Sequence, residues 1–213
     1  MTWTVGIYLF DAVEVLDFAG PFEVFSTAAR VHGRREPPSP PIFVVATVGR
    51  GFGPIVARGG LRVQPAFGLE DHPPLDVLIV PGGVIDAELN HPEVIGWLQR
   101  VSGAASVTAS VCTGAFLLAR AGILNGKKAT THWEDLAELR RLFPEVDVVE
   151  GRRWVDLGAI VTSAGISAGI DMSLHLVGRL AGAELARKTA RQMQYDWWDD
   201  EQSLDFAAGE PEA

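Results

Sequence analysis

The sequence predicts an α/β fold with a mostly parallel β-sheet that is covered by helices on both faces. Short apolar runs of strand length alternate with longer segments whose apolar residues recur at helical spacing, an alternation that is typical of parallel sheets. The strand candidates, such as residues 5–10 and 77–80, are apolar throughout, as expected of strands buried on both faces. A length of 213 residues, of which 47% are hydrophobic, suits one domain with a substantial core.

Glycine and proline residues indicate where individual elements begin and end. Gly20-Pro21 is interpreted as the opening of the first helix, because proline is tolerated in a first helical turn. Residues 37–41 are expected to form an exposed loop. The predicted strands are residues 5–10, 42–48, 77–80, 104–111, 154–156 and 159–162, with a hairpin over residues 55–57 and 61–63. The later predicted helices are residues 92–101, 113–121, 134–142, 170–180 and 184–195. We expect a single domain over residues 1–213, with a C-terminal extension over about residues 192–213.

Charge and cysteine content argue against several classes of function. The formal net charge is −9 and the basic residues form isolated pairs, so we expect neither a nucleic-acid nor a membrane partner. The single cysteine excludes an intramolecular disulfide and fits a reducing compartment. The sequence shows no signal peptide and no apolar run long enough to cross a bilayer, which leads us to expect a cytoplasmic protein.

Cys112 is the strongest candidate for a functional residue. It lies between a run of small apolar residues and an apolar helical run, which predicts a strand, a sharp turn and a helix. Such a turn presents a side chain at the carboxyl edge of the sheet, above a helix N-terminus that lowers a thiol's pKa. The alternative interpretation is that Cys112 is a small buried hydrophobic residue.

Asp17 is the candidate proton donor or acceptor for this thiol. It follows the first predicted strand by a short loop and precedes Gly20-Pro21, which places a carboxyl group near the same sheet edge. Burial beside a thiolate would raise the pKa of Asp17 and keep it protonated as an acid. The alternative is that Asp17 caps the N-terminus of the first helix.

Backbone N–H groups near Cys112 are candidates for stabilising negative charge. Gly82 and Gly83 follow the strand over residues 77–80, and glycine amides can line an anion-binding site. The amide of Thr113, directly after the cysteine, is a further donor candidate. The alternative for the glycines is an ordinary turn between a strand and a helix.

The histidines carry less information. His132 precedes a predicted helix. Its position is equally compatible with two roles, lining the site and capping that helix. The histidines are not spaced for metal binding with cysteine, aspartate or glutamate, so we expect no metal site.

These residues resemble the ThiJ/PfpI superfamily, which is related to class I glutamine amidotransferases, and within it the isonitrile (isocyanide) hydratase branch. The resemblance extends to about Arg191. It is carried by Leu16-Asp17 with Gly20-Pro21, residues 76–83, residues 110–114 continuing through 121–126 to Thr131-His132-Trp133, and residues 165–171.

The resemblance implies a flavodoxin-like sandwich, a homodimer and a strained nucleophile elbow at Cys112. It implies that the Cys112 thiolate attacks the terminal carbon of an isocyanide and that Asp17 transfers the proton. Water would then hydrolyse the resulting thioimidate to an N-substituted formamide. Thr113 would belong to the same site and Ile166 would form a wall of an apolar pocket. The small-molecule substrate would be converted without a metal or organic cofactor.

Two other functions remain open on the same resemblance. The cysteine segment and Thr131-His132-Trp133 also resemble the ligand-sensing N-terminal domains of AraC-type regulators, as does Ser163-Ala164-Gly165. A non-catalytic sensing domain is therefore one alternative, and a cysteine-based glyoxalase or redox stress protein is the other. Thr113 stands where the superfamily's proteases carry histidine, and Asp17 stands where its glyoxalases carry glutamate.

Overall fold

A six-stranded sheet forms the centre of the protein, which a computed structural model describes for residues 1–34 and 40–199. The strands are β1 (Trp3–Leu9), β2 (Phe43–Gly49), β3 (Ile55–Val56), β4 (Arg62–Val63), β5 (Val77–Val80), β6 (Val107–Val111), β7 (Lys128–Ala129), β8 (Asp147–Val148), β9 (Trp154–Asp156) and β10 (Ile160–Ser163). The central sheet has the order β2-β1-β5-β6-β10-β9. All its neighbouring strands are parallel except β9, which runs antiparallel to β10.

Helices cover the sheet and complete the predicted three-layer α/β fold. They are α1 (Val15–Gly33), α2 (Pro92–Ala104), α3 (Gly114–Arg120), α4 (Leu136–Leu142), α5 (Ala168–Ala181) and α6 (Ala183–Met193). Helices α1, α5 and α6 contact one another, and α2 contacts α3. The strands β1, β5 and β6 are almost fully buried. The mostly apolar sequences of β1 and β5 predict this, whereas β6 is buried although it carries Thr108 and Ser110.

The register of the sheet brings the ends of β5 and β6 together. Val80 pairs with Ser110 in parallel register. Gly82 and Cys112 each lie two residues further along the chain, and they therefore leave the sheet side by side at its carboxyl edge. Ligand sites of open parallel sheets lie at this edge.

The start of the first helix differs from the prediction. Helix α1 begins at Val15, so Gly20-Pro21 lies inside it rather than at its opening. The Glu14 side chain accepts the Val15 N–H and caps the helix, and burial of Phe18 and Val24 stabilises it on both sides of the proline. Asp17 is consequently a residue of the first turn of α1, and the interpretation of Asp17 as the helix cap is wrong.

The small sheet of β7 and β8 has no recognisable signal in the sequence. Strands β7 and β8 pair in parallel, but each is too short for a periodicity of apolar residues to show. Conversely, the predicted hairpin is confirmed as the antiparallel pair of β3 and β4. Residues 37–39 of the loop predicted over residues 37–41, and residues 200–213 of the predicted extension, lie outside the described residues.

The described helices include none that is both long enough and apolar enough to cross a membrane.

Helix α3 packs so closely on the end of β5 that its first residue, Gly114, cannot carry a side chain. A Cβ atom there would collide with the Val80 carbonyl oxygen and lie 2.9 Å from the Pro81 carbonyl oxygen. We expect Gly114→Ala to lower the free energy of unfolding by about 1–3 kcal/mol, the usual cost of overpacking, as measured by urea denaturation. Gly103 in α2 has open space around its Cβ position. The Gly103→Ala control should leave stability unchanged or raise it, and equal losses in both variants would contradict the packing argument.

Candidate active site

Cys112 lies on a strained turn between β6 and α3. Its φ angle is 55°, a left-handed conformation that costs a non-glycine residue of order 1–3 kcal/mol and persists only when its surroundings hold it. Here the Cys112 N–H donates to the Ala164 carbonyl oxygen at 3.2 Å, and the Thr131 hydroxyl donates to the Cys112 carbonyl oxygen at 2.8 Å. The structure thus contains the predicted strained turn between strand and helix at Cys112, which forms the elbow of the site.

Asp17 lies beside the Cys112 thiol. The residue is fully buried, and its Oδ2 accepts the Gly82 N–H at 3.0 Å. The Cys112 thiol interacts with the same carboxyl group. The second oxygen, Oδ1, is buried and has no hydrogen-bond partner. Because a buried carboxyl oxygen without a partner is costly, this atom is suited to receive a proton or a donor group during a reaction.

Burial shifts the pKa values of both groups upwards. Burial raises the pKa of Asp17 to about 7, against the opposing effects of the Gly82 N–H and the thiol. Burial, followed by the negative charge of Asp17, raises the pKa of Cys112 to about 12, although the N–H groups of Thr113 and Ile166 oppose this shift. The raised pKa of Asp17 was predicted. The prediction of a lowered thiol pKa was wrong, because burial outweighs the N–H groups that face the sulfur.

The pair therefore shares one proton over a wide range of pH. Between the two pKa values, about 7 and about 12, the proton lies mainly on the sulfur while Asp17 is ionised. A carboxylate beside a thiol can take that proton when the sulfur attacks an electrophile. Asp17, which the sequence predicts to be an acid, is thus a base in the resting protein. It becomes an acid once it has taken the proton from the Cys112 thiol.

The backbone N–H groups of Gly82 and Gly83 donate to other residues of the site and are therefore not free to bind an anion. The Gly82 N–H holds Asp17. The Gly83 N–H donates to Thr113 Oγ1 at 2.9 Å, and that hydroxyl donates back to the Gly83 carbonyl oxygen at 3.0 Å. These hydrogen bonds contradict the predicted role of the two glycine amides as oxyanion donors, whereas Gly83 does border the cavity that opens onto the thiol. The Thr113 N–H faces the Cys112 sulfur instead.

Only glycine fits at position 82. A Cβ atom there would lie 2.5 Å from Thr113 Oγ1 and 3.0 Å from Asp17 Oδ2. The absence of a side chain lets the end of β5 approach both the acid and the elbow.

A cavity of about 350 Å³ opens onto the thiol. Its lining consists of Glu14, Arg58, Gly83, Cys112, Thr113, His132, Glu134, Asp135 and Ile166. Most of these side chains are polar, and Arg58 forms an ion pair with Glu14 at 3.1 Å. The expectation of an apolar pocket is therefore wrong, since the loops that close the site bring charged residues to its mouth.

His132 and Ile166 both lie in this lining, as predicted. His132 fulfils both roles considered for it, because it borders the cavity and its Nδ1 accepts the Glu134 N–H at 3.4 Å as a helix cap. Ile166 has a φ angle of 46°, and its N–H faces the Cys112 sulfur. Ile166 therefore contributes backbone to the site as well as a wall.

The described residues contain no group of three histidine, cysteine, aspartate or glutamate side chains that could hold a metal ion.

The family assignment follows from a family-model match. A model described as the DJ-1/PfpI family matches residues 4–179. The chain belongs to the DJ-1/PfpI family. This confirms the ThiJ/PfpI resemblance found in the sequence. The crystal structure of a THiJ/PfpI family protein from Pseudomonas syringae superimposes with a TM-score of 0.81 at 26% identity, covering 99% of this chain and 80% of that chain.

Curated relatives of this DJ-1/PfpI chain include an enzyme and a transcriptional regulator. Isonitrile hydratase from Pseudomonas putida is 33% identical, over 92% of this chain and 79% of the hydratase. The HTH-type transcriptional regulator GbdR from Pseudomonas aeruginosa is 31% identical, over 93% of this chain and 52% of the regulator. The chain thus spans about half the length of that regulator. The similarity of this DJ-1/PfpI member therefore extends both to an enzyme and to a transcriptional regulator.

Sequence reasoning missed Thr131, Ala164 and the charged mouth of the cavity. Thr131 belongs to the segment Thr131-His132-Trp133 that carries the family resemblance, but the sequence indicates no role for Thr131 itself. The nearest signal was its adjacency to His132, a site candidate. Neither the hairpin position of Arg58 nor the helix-end positions of Glu134 and Asp135 indicated that these side chains border the thiol.

Proposed function

We propose that the protein hydrates isocyanides to N-substituted formamides through Cys112 and Asp17. The observation that carries this proposal is the buried pair of the Cys112 thiol and the Asp17 carboxyl group, in which Cys112 lines a cavity and Asp17 Oδ1 is unpartnered. The similarity to isonitrile hydratase over most of both chains supports the same reaction.

The terminal carbon of an isocyanide suits a pair that holds one proton, because this carbon accepts both a nucleophile and a proton. In the first step, the Cys112 sulfur forms a bond to the terminal carbon of R–N≡C. Asp17 takes the thiol proton and delivers it to the same carbon, which gives the thioimidate R–N=CH–S–Cys112. Thiol and isocyanide together thus account for every atom of the intermediate, with no change in oxidation state and no external reductant.

In the second step, water adds across the C=N bond. Its oxygen bonds to carbon and one hydrogen goes to nitrogen, which gives R–NH–CH(OH)–S–Cys112. The carbon–sulfur bond then breaks while Asp17 carries the hydroxyl proton back to sulfur. The products are R–NH–CHO and the original thiol. The N–H groups of Thr113 and Ile166 face the sulfur and stabilise the charge on it as it leaves.

The direct test is to mix the purified protein with an alkyl or aryl isocyanide in large molar excess and to follow formamide by absorbance and mass spectrometry. The proposal predicts many formamide molecules per protein. Formation of a thioimidate at Cys112 without further product, or of no product from a folded protein over several isocyanides, would contradict it.

The charged mouth of the cavity should influence which isocyanides react. Three carboxylates border it, those of Glu14, Glu134 and Asp135, against the single guanidinium of Arg58. We expect an isocyanide with a terminal ammonium group to show a kcat/KM about tenfold above that of a carboxylate of equal length at low salt, and the ratio to shrink as salt screens the charges.

Two substitutions make this expectation specific. Glu134→Gln should reduce the ratio. Glu138→Gln should not, because Glu138 is absent from the cavity lining and pairs with Arg141 on the exposed face of α4. A ratio near one at low salt would contradict the charge argument.

A ligand-sensing role is the second candidate, and the similarity to GbdR favours it. A sensor would bind a small molecule in the same cavity with a saturable affinity that survives loss of the Cys112 sulfur. Isothermal titration with the isocyanide and with its formamide, using the wild type and a thiol-free variant, separates the two roles.

A further inference from the structure

We propose that Thr131 is a positioning residue for the nucleophile, which it serves by fixing the peptide unit between Cys112 and Thr113. This inference rests on the proposed role of Cys112 as the nucleophile. Thr131 makes no contact with the sulfur or the carboxyl group in the hydrogen-bond network of the site, so it would act only through the backbone of the elbow.

The contact is short and shielded from water. Thr131 Oγ1 lies 2.8 Å from the Cys112 carbonyl oxygen, and Thr131 is 1% exposed. The Ala115 N–H also reaches this carbonyl oxygen, but at 3.3 Å. The Thr131 hydroxyl is therefore the closer donor to the carbonyl group of the strained residue.

Fixing this carbonyl group also fixes the donor that faces the sulfur. The Cys112 C=O and the Thr113 N–H belong to one planar trans peptide unit and point in opposite directions. The Thr113 N–H donates to the Cys112 sulfur and favours its ionised form. A peptide unit that tilts after losing Thr131 would turn this N–H away from the sulfur.

Thr131 is itself held in place by the small sheet that the sequence did not reveal. The preceding Thr130 N–H donates to Thr162 Oγ1 at 2.9 Å, which ties this segment to β10. The Val149 N–H donates to the Ala129 carbonyl oxygen at 2.8 Å and extends the pairing of β7 with β8. The hydroxyl is thus presented to the elbow from a rigid support.

The test replaces Thr131 with valine, which keeps the shape and removes the hydroxyl. We expect kcat for isocyanide hydration to fall about tenfold while KM changes by less than about twofold, the signature of an interaction that acts on the reacting sulfur. Alkylation of Cys112 by iodoacetamide at about pH 8 should also slow about tenfold, because the thiolate fraction falls. Thr131→Ser, which retains the hydroxyl, should restore both rates.

Thr189→Val is the matched control. Thr189 is also fully buried, and its Oγ1 donates to the Leu185 carbonyl oxygen at 2.8 Å, but it lies in α6 away from the elbow. This variant should lose comparable stability and keep both rates. The inference is overturned if Thr131→Val alkylates at the wild-type rate, if serine fails to restore it, or if Thr189→Val slows it equally. Alkylation needs no isocyanide turnover, so the inference and the proposed function fail separately.

Discussion

Replacing Cys112 with alanine is expected to reduce formamide production by about four orders of magnitude or to the uncatalysed background, because no other group in the cavity can form the covalent intermediate. Cys112 is 7% exposed, and alanine fills less of the same space, so the variant should fold. The measurement is the initial rate of formamide formation with a saturating isocyanide.

Two controls test whether the loss of activity is due to the missing thiol. Circular dichroism and urea denaturation should show a folded Cys112→Ala protein. Cys112→Ser keeps a side chain of similar size with a far less acidic hydroxyl group, and it should be almost as inactive. Turnover by either variant at more than a few per cent of the wild-type rate would show that the reaction does not need the Cys112 thiol.

Replacing Asp17 with asparagine is expected to lower kcat by about 10²–10⁴-fold, the usual contribution of a positioned acid or base. Asparagine can still accept the Gly82 N–H, so the fold around it should survive. It cannot carry the proton from the sulfur to the isocyanide carbon. A variant that retains more than about a tenth of the wild-type kcat would contradict the proton-transfer role.

The pH dependence of the same variant provides an independent measurement. In the wild type, kcat/KM should rise as pH increases through about 7, because Asp17 must lose its proton before it can accept one from the thiol. The Asp17→Asn profile should lack this inflection. An inflection near pH 7 in both proteins would assign the titration to another group.

Stability should depend on pH in the opposite sense to activity. The native pKa of Asp17 is raised from 3.8 to about 7, so between these values the folded state binds more protons than the unfolded state. The Asp17 contribution to the free energy of unfolding therefore falls as pH rises across this interval. Asp17→Asn lacks this contribution, and its stability relative to the wild type should increase over the same range.

The elements that carry strong local signals were predictable from the sequence. The apolar runs of β1 and β5, and the run of small residues that leads into Cys112, place Cys112 and Gly82 at one sheet edge. The short loop after β1 places Asp17 near the same edge. These arguments need only strand burial and the geometry of a parallel sheet.

The chemistry of the site was less predictable, because it depends on contacts between distant residues. At Cys112, the helix N-terminus lowers the thiol pKa and burial raises it, and the outcome is decided by groups from other elements. The Thr131 contact crosses 19 positions of the chain and rests on strands too short to recognise. The hydrogen bond from the Gly83 N–H to Thr113 Oγ1 likewise depends on how two segments distant in the chain pack together.

The dependence of the Cys112 turn on Ala164 links the state of the thiol to the order in which the chain is synthesised. Ala164 follows β10, so a ribosome-bound chain ending before this strand contains the cysteine without the carbonyl group that holds it. An exposed cysteine in such a chain titrates near pH 8.5, well below the pKa of about 12 in the finished protein. The thiol is therefore more ionised, and more open to oxidation, before folding than after it. Completion of the sheet both assembles the reactive pair and protects the sulfur from unrelated chemistry.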